Sequence, residues 1–156
     1  MTAAPGSEPA RLLRARLVAP LTRPPIENGG VLLQGGKIVA LGSWPDLRQT
    51  AVAEMHDLGE CALLPGLVNA HSHLDYTDMA GLLSRRANFH EWIKDILGLK
   101  AQWDLDNYRR SWTRGAQMLL LSGTTTVADI ESAPELLPAV WETTPLRVVS
   151  DRKSVV

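Results

Sequence analysis

The residue types best suited to chemistry gather in one short stretch, His71-Ser72-His73. On an extended strand, side chains at i and i+2 point to the same side, with Cα atoms about 6.5–7 Å apart. Two imidazoles at that spacing can reach one metal ion, and imidazole nitrogen suits Zn²⁺ or, alternatively, Fe²⁺. The same spacing also serves two structural histidines that merely bond their neighbours, and the pair alone leaves both readings open. Asp75 and Tyr76 follow at once, in an expected loop. There Asp75 can either hydrogen-bond a substrate or cap a turn. Trp92 can cover a substrate or pack into a helix core. Asp129 closes a later strand, where it can support a ligand histidine or simply the strand rim. His56 and His90 fall in a β-rich lead-in and at a helix start, and both are expected to be structural or exposed. Arg85, Arg86, Arg109, Arg110 and Arg114 are expected on solvated faces.

The elements that must position these residues alternate in type. Residues 1–10 form an expected disordered lead-in, with Pro5, Gly6, Ser7 and Pro9. Residues 11–60 are β-rich. Leu12, Leu13, Leu17 and Val18 mark a first strand. Val31–Gln34 and Lys37–Leu41 mark a hairpin around Gly35-Gly36, since a two-residue primed turn needs positive φ. Trp44–Val52 suits a short helix. From Cys61 the pattern changes. Leu63–Ala70 is almost continuously apolar, as in a strand covered on both faces. Phe89, Trp92, Ile93, Ile96 and Leu97 then recur at helical spacing. So do Leu105, Tyr108, Trp112, Ala116, Leu119 and Leu120, with Asp104 as N-cap and Gly123 as stop. A β-branched strand covers Thr124–Ile130, a helix Ser132–Trp141, and a further strand starts at Leu146. Strand, helices, strand, helix, strand implies an α/β fold with a parallel sheet and right-handed crossovers. In such folds chemistry collects at the carboxyl ends of strands, where His71 and His73 are expected.

With the flanking residues included, the pair becomes more specific. Leu64-Pro65-Gly66-Leu67-Val68-Asn69-Ala70-His71-Ser72-His73-Leu74 resembles the first-strand signature of the amidohydrolase superfamily. Ile26–Leu41 with Asp57-Leu58-Gly59 is similar to the small β-sandwich that precedes the barrel in that family. Ser122-Gly123-Thr124-Thr125-Thr126-Val127 is similar to the second barrel strand of its cytosine deaminase and chlorohydrolase branch. The resemblance implies an incomplete (β/α)8 TIM barrel over residues 61–150, its first two strands and the start of a third, preceded by part of a β-sandwich over 11–60. It implies His71 and His73 as metal ligands and a metal that lowers the pKa of bound water towards about 7. The implied reaction is hydrolysis of a non-peptide carbon–nitrogen bond, through deamination of a purine-, pyrimidine- or triazine-like ring. Asp75 and Trp92 are the candidate substrate contacts. The catalytic acid and base, and the remaining ligands, are expected beyond this chain. Two alternatives stand beside this one. One is a cyclic amide or imide hydrolase of the dihydroorotase or hydantoinase type. The other is a non-catalytic relative, against which the intact histidine pair argues.

Composition narrows the classes further. A net charge of −1 over 156 residues disfavours nucleic acid and membrane surfaces as partners, and the resemblance implies a small-molecule substrate. No apolar run is long enough to span a bilayer and no signal peptide is evident. The single cysteine, Cys61, excludes a disulfide framework, suits the cytoplasm and is expected as a small buried hydrophobe. A homo-oligomer is left open. The last six residues, Asp151-Arg152-Lys153-Ser154-Val155-Val156, match one reading frame of a common sequencing adapter, so 151–156 is expected to be a non-native tail. A barrel needs about 250 residues, so residues 1–156 alone are expected to be inactive and poorly folded.

Overall fold

The computed structural model describes residues 9–50, 53–83 and 88–152. Most of the expected lead-in, Arg85, Arg86 and the last four residues of the expected tail lie outside them. The chain divides into two compact units, 1–65 and 66–156.

The first unit is a sheet of five strands with one short helix. Strand β1 (Arg11–Val18) pairs antiparallel with β2 (Ile26–Gln34), which pairs with β3 (Lys37–Ser43). Helix α1 (Trp44–Thr50) follows, then β4 (Glu54–Asp57) and β5 (Ala62–Leu63), both parallel to β1. Gly35 and Gly36 form the β2–β3 turn at φ +56° and +71°, left-handed values that suit residues without a Cβ. Strand β2 starts five residues earlier than the apolar pattern suggested. Pairing with β1 recruits Ile26–Gly30, although Asn28, Gly29 and Gly30 are poor strand formers. The core holds Ala15, Val18 and Val31, with Cys61 partly buried against them as a small apolar group. His56 sits on β4, its Nε2 3.3 Å from Glu54 Oε1. Arg14 donates to both Asp57 oxygens, at 3.0 and 2.7 Å. The Gly59 N–H and this guanidinium together hold the Asp57 carboxyl below its ordinary range.

The second unit is α/β. Its order is β6 (Leu67–Ser72), α2 (Phe89–Lys100), α3 (Leu105–Leu121), β7 (Thr124–Glu131), α4 (Leu137–Trp141) and β8 (Arg147–Arg152). The three strands form a parallel sheet in the order β6-β7-β8. Asp151 and Arg152, the first two residues of the expected tail, pair with Ile130 and Glu131 as the end of β8.

Three expected elements differ in detail. The apolar run Leu63–Ala70 is not one strand: β5 ends at Leu63 and β6 starts at Leu67. Pro65 between them has no N–H for a ladder. Ser132–Trp141 is a 3₁₀ turn over Pro134–Leu136 followed by α4. Pro138 cannot bond the carbonyl four residues back, so one continuous helix is ruled out. On α2 only Ile96 is buried, and Phe89 is 73% exposed, so its apolar stripe is largely uncovered among the described residues.

Helix α3 is the element that supports the site. Asp104 caps it by accepting from Asn107 N–H at 2.9 Å, and Gly123 follows its end at φ +84°. Tyr108, Ser111, Trp112, Gly115 and Ala116 form its buried face. That face packs on the 3₁₀ turn Leu74–Met79 directly after His73 and on β7. The core here joins Leu74, Trp112, Ala116 and Val127 to Leu137, Val140 and Leu146. No helix among the described residues is long and apolar enough to cross a membrane.

Candidate metal centre

His71 lies near the carboxyl end of β6, and His73 one residue beyond it. The expected simple alternation is interrupted here. Asn69 pairs with Val127 and Ser72 with Asp129, so Ala70 and His71 together oppose Ala128 alone. Such a bulge re-aims the strand locally. Asn69 helps to fix it, its Oδ1 accepting the His71 N–H at 3.1 Å. The two imidazoles still meet, with ring centroids 5.2 Å apart and planes at 84°.

His73 is held on two sides. Its Nδ1 is 2.8 Å from the Ile130 carbonyl oxygen on β7. A carbonyl only accepts, so Nδ1 carries the hydrogen, and in the neutral ring, the form that binds a metal, Nε2 keeps its lone pair. Its ring is stacked on Tyr76, 4.9 Å between centroids and 7° between planes. Tyr76 Oη accepts from Lys100 Nζ at 3.1 Å, and Ser132 Oγ accepts from the same ammonium at 2.6 Å.

Beneath this layer lies a row of carboxylates. Asp129 is fully buried. Its Oδ1 accepts the Leu74 N–H at 2.8 Å, and its Oδ2 accepts the Trp112 indole N–H at 2.7 Å. It therefore supports the backbone next to His73 and bonds neither imidazole. Burial pushes its carboxyl pKa up. The Leu74 and Trp112 donors pull it down, and the charges of Asp75 and Glu131 push it up further.

Asp75 is only 2% exposed. Its Oδ2 accepts the Ser132 N–H at 2.8 Å, and its Oδ1 has no partner. Burial raises its pKa, against the Ser132 hydrogen bonds and the charges of Lys100 and His73. The loop expected at this position is a 3₁₀ turn whose Asp75 side chain faces inward, because Ser132 N–H gives it a partner there. Trp92 stands on α2, 40% exposed, tilted against Phe89 at 5.6 Å. His90 is on the same helix and is exposed.

Among the described residues no group of three or more His, Cys, Asp or Glu side chains comes together as a metal cage. His71 and His73 are two donors of a fuller set. They fit a divalent metal in one respect the structure makes concrete: the free Nε2 of His73 is fixed by the bond at Nδ1. Sequence reading missed Lys100, Ser132 and the Ile130 carbonyl. The first two are unremarkable residues at a helix end and a strand end. The third is backbone and carries no side-chain signal.

No family model matches the chain. It is 31% identical over 121 residues to 5-methylthioadenosine/S-adenosylhomocysteine deaminase of Halobacterium salinarum, covering 75% of this chain and 27% of that protein. It is 30% identical over 123 residues to 5'-deoxyadenosine deaminase of Methanobrevibacter smithii, covering 78% and 28%. The atrazine chlorohydrolase of Arthrobacter aurescens TC1, solved with zinc, superposes at a TM-score of 0.76 with 26% identity, over 91% of this chain and 35% of that one. The chain belongs to the amidohydrolase superfamily. It spans about a quarter of the length of the curated relatives it matches. The superfamily resemblance carried by residues 64–74 and 122–127 thus agrees with relatives matched over three quarters of the chain.

Proposed function

We propose that the whole protein is a metal-dependent hydrolase that deaminates a heterocyclic amine of the purine, pyrimidine or triazine class. In this reading the second unit is the opening of a (β/α)8 barrel, and His71 and His73 supply its first two metal ligands. Zinc is the metal favoured, because the atrazine chlorohydrolase neighbour was solved with it. When bound, a divalent metal supplies Lewis-acid activation of water at neutral pH. The residues of this chain do the rest of the local work. Ile130 fixes the tautomer of His73, Tyr76 supports its ring face, and Asp129 anchors the backbone that follows.

The observation that carries the reading is the close imidazole pair at a strand carboxyl end, 5.2 Å between ring centroids, with His73 Nε2 not engaged by the Ile130 carbonyl. Its support from relatives is that both curated proteins are deaminases of adenosine-type nucleosides by name. The test is metal analysis of the purified whole protein, together with ammonia release from 5'-methylthioadenosine. The wild type should hold zinc or iron, and His71→Ala combined with His73→Ala should lose it along with turnover. A wild type free of both metals, or a double variant that keeps its metal, would sink the proposal.

A further inference from the structure

Among the described residues, Lys100 is the cation whose ammonium reaches Tyr76, the ring stacked on His73. It ends α2, half-buried, and its ammonium is held by two neutral hydroxyls, Ser132 Oγ at 2.6 Å and Tyr76 Oη at 3.1 Å. Among the described residues it makes no ion pair, whereas the other cations of α2 and α3, Lys94, Arg109, Arg110 and Arg114, lie on carboxylates. The Asp75 and Lys100 charges act on one another, but no hydrogen bond joins them: Asp75 Oδ2 accepts the Ser132 N–H instead. Hydroxyls only orient an ammonium; they do not neutralise it. An ammonium has three N–H donors, so one remains for a further acceptor. Its position is set relative to the histidine pair. Nζ stands 5.1 Å from the centroid of the Tyr76 ring, on which His73 is stacked at 4.9 Å. The ammonium and the His73 ring therefore both lie against the same tyrosine.

We propose that Lys100, oriented by Ser132 and Tyr76, is a recognition point for an anionic oxygen, carboxylate or phosphate, carried by the heterocyclic substrate away from its reacting carbon. This rests on the deaminase reading for its placement of the reacting carbon at His71 and His73. A desolvated ammonium bound to a carboxylate or phosphate makes a charge-assisted hydrogen bond, roughly twice as strong as a neutral one. The site thereby separates substrates by charge as well as by ring.

Calorimetry on the whole protein, wild type against Lys100→Met, tests it with matched ligand pairs. S-adenosylhomocysteine carries a carboxylate and 5'-methylthioadenosine does not. Adenosine 5'-monophosphate carries a phosphate and adenosine does not. Inorganic phosphate probes the ammonium without any purine. K100M should lose at least tenfold more affinity for the charged member of one pair than for its neutral partner, and Lys100→Arg should restore most of that difference. The pair that responds identifies carboxylate or phosphate as the group recognised. Equal losses within both pairs would make Lys100 a mere prop for Tyr76 and overturn the proposal, as would no loss at all. Should the wild type bind neither purine pair yet bind phosphate in a Lys100-dependent way, the deaminase reading falls and the anion site stands. Binding neither purines nor phosphate overturns both.

Discussion

Asp129 does more with one side chain than any other residue near the histidines. Its two oxygens each accept one N–H, from Leu74 and from Trp112, 55 and 17 residues away in sequence. An amide offers a carbonyl to only one of them. Asp129→Asn should therefore cost about 1–3 kcal/mol, the desolvation penalty of one buried donor left unsatisfied. The same residue predicts a pH dependence. Burial, with the charges of Asp75 and Glu131, raises its pKa in the folded protein above the ordinary 3.8. The folded state thus holds this proton more tightly than the unfolded chain does. That contribution is fully present below the unfolded pKa and is lost as pH rises through the folded one. The Asp129 contribution should fall as pH rises from about 4 through that range, so the stability difference between wild type and D129N should shrink as pH rises. Denaturant titrations at a series of pH values check this, and parallel slopes in the two proteins would refute it. The sequence made Asp129 a candidate because it closes a strand. It could not say that its partners would be a main-chain N–H and an indole, since both are brought to it by α3 and the turn after His73.

Packing of helix α3 against that turn makes a sharp distinction between two helical glycines. A Cβ on Gly115 would meet Thr77 Oγ1, and would come within 3.1 Å of Leu74 Cδ2 and 3.3 Å of the Leu74 carbonyl. A Cβ on Gly98 of α2 would meet nothing within 4 Å. Helix propensity favours alanine over glycine by about 1 kcal/mol at both positions. Overpacking costs about 1–3 kcal/mol, which outweighs the gain at the first site only. Gly115→Ala should therefore destabilise the protein, and Gly98→Ala should be neutral or stabilising by up to about 1 kcal/mol. Unfolding midpoints decide it, and the opposite order would refute this account of α3. At this scale the sequence was largely legible. The caps at Asp104 and the Gly35-Gly36 turn follow from local chemistry. The break at Pro65 and the split at Pro138 are equally local but were hidden inside apolar runs. The exposure of the α2 stripe was not legible, because a period of 3.6 marks a face and does not say what covers it.

For the molecule as a whole, the sheet of the second unit bears apolar residues that the described chain leaves in the open. Leu67 and Val68 on β6 and Val149 on β8 are 55%, 69% and 64% exposed. Exposed apolar strands with free edges are prone to association. Residues 1–156 produced alone should bind a hydrophobic dye, melt without a sharp transition and release no ammonia from 5'-methylthioadenosine. A sharp cooperative melt or measurable turnover from that chain would overturn this. The order of strands and helices, and the superfamily they belong to, could be read from three sequence blocks at sensible spacing. The free surfaces could not, since exposure depends on every neighbour at once.

The hold on His73 by the Ile130 carbonyl has a consequence for how this strand can vary. Every amino acid presents a carbonyl, so replacing the side chain at position 130 leaves the acceptor, and with it the free Nε2, in place. A change of length between Thr124 and Ile130 is another matter. It would bring a neighbouring residue's carbonyl, aimed to the other side of the ladder, opposite the imidazole. Sequence drift at position 130 is therefore silent for the histidine, while a single inserted or deleted codon in β7 is not.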